Sequence, residues 1–251
     1  MRDEPVSRRG LLALGGGALL AGCDRIAASK TGQATFSAVE NLTRDAQRLV
    51  TKRDALAPEF TRADLSPVFR SNGTRMPDSA DYARLLADDF RHWRLEVGGL
   101  VARPGALSLD QLVEMPRRTQ ITQHDCVEGW SAIGQWTGVP LRLVLQRAGL
   151  RPQARYIVFH CYDGFGGAPY YESVDMIDAL HPQTILAYAL NGHRLPVPNA
   201  APLRLRVERQ LGYKHAKYLR AIEAVASLDG LGKGKGGTWE DIADYAWYAG
   251  I

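Results

Sequence analysis

Cys126 stands in the run His124-Asp125-Cys126-Val127-Glu128-Gly129-Trp130-Ser131, and far downstream come Asn199, Arg204, His215 and Lys217. A thiolate is the form of cysteine that binds metals, and soft thiolates suit soft or high-valent metals. Phosphates are held by cationic side chains and by backbone N–H groups in tight turns. One thiol followed later by an amide and two cations therefore fits a thiolate-ligated metal on a phosphate-bearing cofactor. Each residue alone has a plainer reading: a lone Cys is commonly a small core residue, Arg204 a cation at a strand edge, and Lys217 a solvated lysine.

Three cysteines occur, Cys23, Cys126 and Cys161, and a bridge between Cys126 and Cys161 is the structural alternative in a compartment that permits disulfides. The six histidines show no H-E-x-x-H or related ligand spacing. Residues 232–237 formally contain G-x-G-x-x-G but lack the strand-to-helix setting of a nucleotide site. No haem-attachment motif, iron–sulfur cysteine set or flavin site is present, so electrons for any redox reaction must come from outside.

The elements that must position these groups are those of an ordinary globular chain, with 45% hydrophobic and 23% charged residues. The net charge of +4 is too slight for a nucleic-acid footprint. Residues 1–22 read as an export signal: Arg8-Arg9 precede a Gly-rich apolar stretch too short to span a bilayer. Twin arginines mark a bacterial route that carries folded proteins. Leu20-Ala21-Gly22-Cys23 is similar to a lipobox, which implies a periplasmic protein with a lipid on Cys23 at the outer face of the inner membrane.

Residues 23–60 read as a polar tether, to about residue 37, and a helix over Val39–Leu56; 61–229 as the catalytic domain; 230–251 as a flexible Gly-rich tail, with Trp239, Tyr245, Trp247 and Tyr248 pinning its end back. Within the domain, Arg70–Met76 is turn-like. Helices are expected at Tyr82–Leu86, after the Ser108 cap, and from Arg142 to Ala148. Strands are expected at Trp93–Val97, into Cys126, and at Tyr156–Phe159, Ile185–Leu190, Leu203–Val207 and Tyr218–Val225. The class is α+β, mixed and strand-rich.

Three blocks carry a resemblance: Cys126 to Ser131 with Trp136-Thr137-Gly138-Val139-Pro140-Leu141, Pro198 to Arg204, and Gly212 to Lys217. In this order they resemble the sulfite oxidase family of molybdopterin enzymes, most of all its sulfoxide-reducing branch, over roughly residues 66–226. The resemblance implies a molybdenum–molybdopterin cofactor with Cys126 as the protein's metal ligand. Asn72, Cys161, Asn199, Arg204, His215, Ala216 and Lys217 are the implied cofactor-binding residues. Two positions depart from the reductase pattern: Cys161 stands where that branch places a Thr, and Gly73-Thr74 stand where it follows the Asn with Tyr-Glu.

Sulfite oxidases proper set arginines soon after the ligand Cys, whereas this chain has Glu128, and an acid there repels anions. A neutral sulfoxide-type substrate is therefore expected, with Glu128 either a proton donor or a structural partner. The implied electron donor is a membrane haem protein or a periplasmic cytochrome. A sulfite dehydrogenase and a non-catalytic lipoprotein that keeps the fold as a binding module are the alternatives.

Overall fold

Local signals at two helix starts set the chain's entry into its main body. Ser79 caps α2 (Ala80–Ala87) by accepting from the Tyr82 N–H, and Ser108 caps α3 (Leu109–Glu114), with Gln111 returning a bond to the Ser108 N–H. Such reciprocal caps satisfy donors that a first turn leaves unpaired. The computed structural model describes residues 25, 26 and 29–251, so the export signal and lipobox expected at residues 1–23 lie outside the described residues.

The chain divides into two units, up to Thr51 and from Lys52 onward. The first carries α1 (Lys30–Val50), capped by Ser29. This helix begins well before the expected Val39, so residues 30–37 are not an extended tether. Thr31, Gly32 and Gln33 had argued for a polar linker, but an apolar stripe through Phe36, Val39 and Leu42 continues the helical period. Among the described residues no helix is long and apolar enough to cross a membrane.

The second unit holds two sheets. One runs β2-β1-β10-β5-β6, from Gly105–Ser108, Arg94–Gly99, Leu219–Val225, Tyr156–Phe165 and Ala168–Asp175; the other runs β3-β4-β7-β8, from Arg118–Cys126, Trp130–Pro140, Ile185–Leu190 and His193–Arg194. β9 (Arg204–Arg206) pairs antiparallel with β7 and completes the second sheet. Among the described residues only β1 and β10 run parallel, Glu96 facing Ala221. This is the mixed α+β arrangement expected, with α4 (Leu141–Ala148) and the short α5 (Met176–Ala179) packed on it.

The main core cluster runs from Tyr82, Trp93 and Leu95 through Leu141, Leu145, Ile157 and Phe159 to Leu203, Leu205 and Ile222, and a smaller one gathers Trp136, Ile185, Ala187, Leu190 and Leu195. Strand alternation places residues two apart on one face, which on β3 aligns the buried Gln120, Thr122, His124 and Cys126. That register carries Cys126 to the end of its strand, facing inward.

The segment 230–251 differs from the flexible tail expected. Asp241 accepts from the Lys233 and Lys235 N–H groups and from Tyr171 Oη, and α6 (Thr238–Ala243) places Glu240 against Lys214 Nζ at 2.6 Å. Lys214, on the one-turn helix Gly212–Lys214, also binds Glu172, and all three are buried. Glycine content suggested mobility, but buried carboxylates fix the segment. Trp239, Tyr245 and Trp247 do pack onto the body, Tyr245 with Tyr213 at 5.0 Å and Trp247 with Tyr156 at 5.5 Å.

Candidate active site

Cys126 ends β3, and the next three residues turn the chain into β4, Gly129 adopting φ +84° and donating its N–H to the Cys126 carbonyl at 3.0 Å. A positive φ is the conformation glycine adopts at no steric cost. The thiol is 9% exposed and free of any disulfide, as is Cys161, so the expected alternative of a bridge between them does not hold. Burial, and secondarily the neighbouring Glu128 carboxylate, push the Cys126 thiol up, while the Glu128 N–H pulls it down.

Cys126 faces a cavity of about 350 Å³ that it shares with Asn72, Thr74, Glu128, Asp163, His215 and Lys217. Five of the site residues read from the sequence thus line one cavity: Cys126, Glu128, Asn72, His215 and Lys217. Glu128 is solvent-exposed and accepts from Trp130 Nε1 at 3.0 Å. Lys217 is buried, and its ammonium donates to the carbonyls of Asn72, Thr74 and Pro198 at 2.8, 2.5 and 2.9 Å. Desolvation, then repulsion from Arg204, lowers its pKa to about 7.

Four expected binding residues do not line the cavity. Arg204 and Asn199 lie directly behind it, Arg204 Nη2 at 3.5 Å from the His215 carbonyl and Nη1 at 3.4 Å from the Asn199 carbonyl. Ala216 is core, its carbonyl accepting from the Leu205 N–H at 2.8 Å. Cys161 is likewise core, fully desolvated, with its sulfur accepting from the Lys217 N–H. It therefore positions the lysine's backbone and does not present a side chain to the cavity. The large pKa rise of its thiol follows from burial first, then Asp163.

Sequence reading missed two groups. Asp163 lines the cavity, and desolvation raises its pKa to about 6; its place after the Cys161 block, on β5, was the available signal. Arg206 was the second. Its guanidinium bonds Glu208 twice, one of these contacts at 2.9 Å, and donates to His124 Nδ1 at 2.8 Å. It also stacks with Arg204 on Trp136, the guanidinium carbons 4.5 and 5.0 Å from the ring. His124, fully buried beside these cations, is held neutral, desolvation being the first cause and Arg206 the next.

Donors without partners collect here: Arg204 Nε, Asn199 Nδ2 and His124 Nε2 are buried and unbonded. Buried donors are ordinarily satisfied, and unsatisfied ones mark a missing partner. Gly212 presses on the same place, since a Cβ there would lie 2.6 Å from the His124 ring. Among the described residues no three His, Cys, Asp or Glu side chains converge into a metal site. One cavity thiol beside cations suits a metal that brings its other ligands with it, as a pterin dithiolene would supply them. Unpaired donors, two cations and one free thiol fit such an anionic cofactor.

The family model for the oxidoreductase molybdopterin binding domain matches residues 83–229. The chain belongs to this family. A protein of Azospira oryzae named as a candidate protein-methionine-sulfoxide reductase subunit, YedZ1, is 36% identical over 95% of this chain and 84% of its own length. The protein-methionine-sulfoxide reductase catalytic subunits MsrP of Xanthomonas axonopodis pv. citri and Ralstonia nicotianae are 33% and 36% identical, over 73% and 62% of this chain. The chain spans 58% and 50% of those two relatives. The crystal structure of the sulfane dehydrogenase SoxCD from Paracoccus pantotrophus matches with a TM-score of 0.51 at 20% identity, over 60% of this chain and 41% of that one. That likeness establishes the sulfite-oxidase-type fold of the family.

Proposed function

We propose that this family member is a molybdenum–molybdopterin reductase of neutral sulfoxides, acting by oxygen-atom transfer, R2S=O + 2e− + 2H+ giving R2S + H2O. The observation that carries the reading is the free Cys126 thiol on the wall of a cavity shared with Lys217 and backed by the unpartnered donors of Arg204 and Asn199. Relatives named as protein-methionine-sulfoxide reductases support the substrate class.

When bound, the cofactor supplies the two-electron chemistry at sulfur and oxygen. Cys126 would hold the metal, and Lys217, Arg204 and Asn199 the anionic and polar edges of the organic part. Glu128 is the exposed acid of the cavity, and its charge disfavours sulfite while tolerating a neutral sulfoxide. The turnover consumes two protons. Asp163 and Lys217, with pKa values displaced toward neutrality by burial, are placed on the cavity to hold them.

Electrons come from an external donor, a membrane haem protein or a small periplasmic cytochrome. Export as a folded protein through the twin arginines and a lipid on Cys23 would keep the enzyme periplasmic and beside a membrane donor. The test is molybdenum and pterin analysis of the full chain expressed with its maturation machinery, together with a reduced-dye assay. Stoichiometric molybdenum, lost in Cys126→Ser, and turnover of sulfoxides support the reading. A metal-free protein, or oxidation of sulfite with no sulfoxide turnover, overturns it.

A further inference from the structure

The family match ends at residue 229, yet the cavity does not. Trp239 and Tyr245, both beyond that limit, line it together with Phe165, Tyr170 and Tyr213. Their rings run in one connected series: Phe165 to Trp239 at 5.0 Å, Trp239 stacked on Tyr245 at 5.9 Å and 24°, Tyr245 edge-on to Tyr213 at 5.0 Å.

We infer that residues 236–249 are a substrate-recognition element, and that their aromatic wall receives the aliphatic arms of a methionine-type sulfoxide side chain. The inference rests on the sulfoxide-reductase reading and names the residues that choose among sulfoxides. The sulfur of an S=O group carries partial positive charge and its flanking methyl and methylene groups are weakly acidic. Aromatic faces carry negative quadrupole charge and favour such groups. Glu128 on the same cavity adds negative charge, so an anionic substituent is rejected while a neutral, extended one is accepted.

The wall is built to keep its shape. Glu240, the residue after Trp239, is clamped by buried Lys214. Tyr213 Oη donates to the Ala246 carbonyl next to Tyr245. Trp247 Nε1 donates to Ser173 Oγ at 2.9 Å, and the Leu211 N–H to the Ala249 carbonyl at 2.9 Å. A rigid apolar surface discriminates by fit at little ordering cost, so the segment acts as a fixed side of the pocket.

The test compares wild-type holoenzyme with Trp239→Ala, Tyr245→Ala and Trp239→Phe on the uncharged N-acetylmethioninamide sulfoxide and on dimethyl sulfoxide. In parallel, the unreactive and uncharged N-acetylmethioninamide sulfone is titrated by tryptophan fluorescence and by calorimetry. The expected result is that the preference in kcat/KM for the larger sulfoxide over dimethyl sulfoxide falls about tenfold in Trp239→Ala. The change should reside in KM, sulfone affinity should fall in parallel, Trp239→Phe should restore most of both, and molybdenum content should be unchanged. An unchanged preference, an equal loss for both sulfoxides, or loss of molybdenum in the alanine variants would overturn the inference, the last by assigning the wall to the cofactor. If wild type reduces no sulfoxide, the reductase reading fails by itself. Sulfone binding weakened by Trp239→Ala would then still support the wall, and sulfone binding absent or unaltered would sink it.

Discussion

His124, on β3, and Arg206, at the end of β9, are joined through Nδ1 and Nη1 at 2.8 Å and are wholly buried, although their strands do not pair. A guanidinium only donates, so His124 Nδ1 accepts and the neutral ring carries its proton on Nε2, the atom left without a partner. The ring two residues ahead of Cys126 is thus oriented by a cation whose own charge is balanced by Glu208, which in turn accepts from Gln120 Nε2 at 2.8 Å.

Breaking that chain should be costly. Arg206→Leu leaves Glu208 buried without its cation, and removing one partner of a buried pair costs about 3–5 kcal/mol. Urea unfolding of the cofactor-free protein measures this, and Arg206→Leu combined with Glu208→Leu should recover a large part. A loss under about 1 kcal/mol in the single variant would show that the charge is solvated.

Lys217 gives a pH dependence with a definite sign. Its folded pKa near 7 lies below the ordinary lysine value near 10.4, so between these values the unfolded chain binds more protons. Stability of the cofactor-free protein therefore gains from this group as pH rises from about 7 toward 10. Lys217→Met should flatten the rise seen in denaturant midpoints between pH 7 and pH 9. The same variant should retain less molybdenum, because the cofactor loses a cation.

Lys214 serves two buried carboxylates, and burial followed by Glu240 pushes Glu172 well above the usual range. A protonated Glu172 is mimicked by glutamine, so Glu172→Gln should change stability by about 1 kcal/mol or less. Lys214→Met should cost about 3–5 kcal/mol and open residues 230–251 to limited proteolysis. Equal sensitivity of the two variants to denaturant and protease would contradict this.

The two thiols should separate chemically. Cys126 lies on the cavity, whereas Cys161 is buried at 4% exposure with its pKa well raised. Thiolate character and access govern labelling, so cofactor-free protein should take an aryl-disulfide reagent at Cys126, slowly because that thiol is raised as well. Cys161 should react only after unfolding. Peptide mapping by mass spectrometry distinguishes them.

Much of this was legible in advance because the signals were local. Ser108 with Gln111 spelled a cap, Tyr156–Phe159 a buried strand, and the blocks at Cys126, Asn199 and Lys217 the family. What escaped was long-range. Lys214, Glu172 and Glu240 come together across 42 and 26 residues, and a charged residue in isolation argues for solvent. Arg204 taken alone likewise has the plainer reading of a strand-edge cation, whereas Trp136 roofs its guanidinium and that of Arg206 in the interior. Cys161 stands where the reductase pattern has a Thr, and its register with Leu219 buries its side chain, which the local sequence alone does not reveal.

One ammonium, on Lys217, closes the stretch 72–74 and the bend at Pro198 around the cavity by binding three carbonyls from them at once. An incoming phosphate would compete with those oxygens for the same three protons. Under the proposed reading, loading would be an exchange of partners on a single nitrogen, and the ease with which two loops relinquish it would set how readily an empty protein fills.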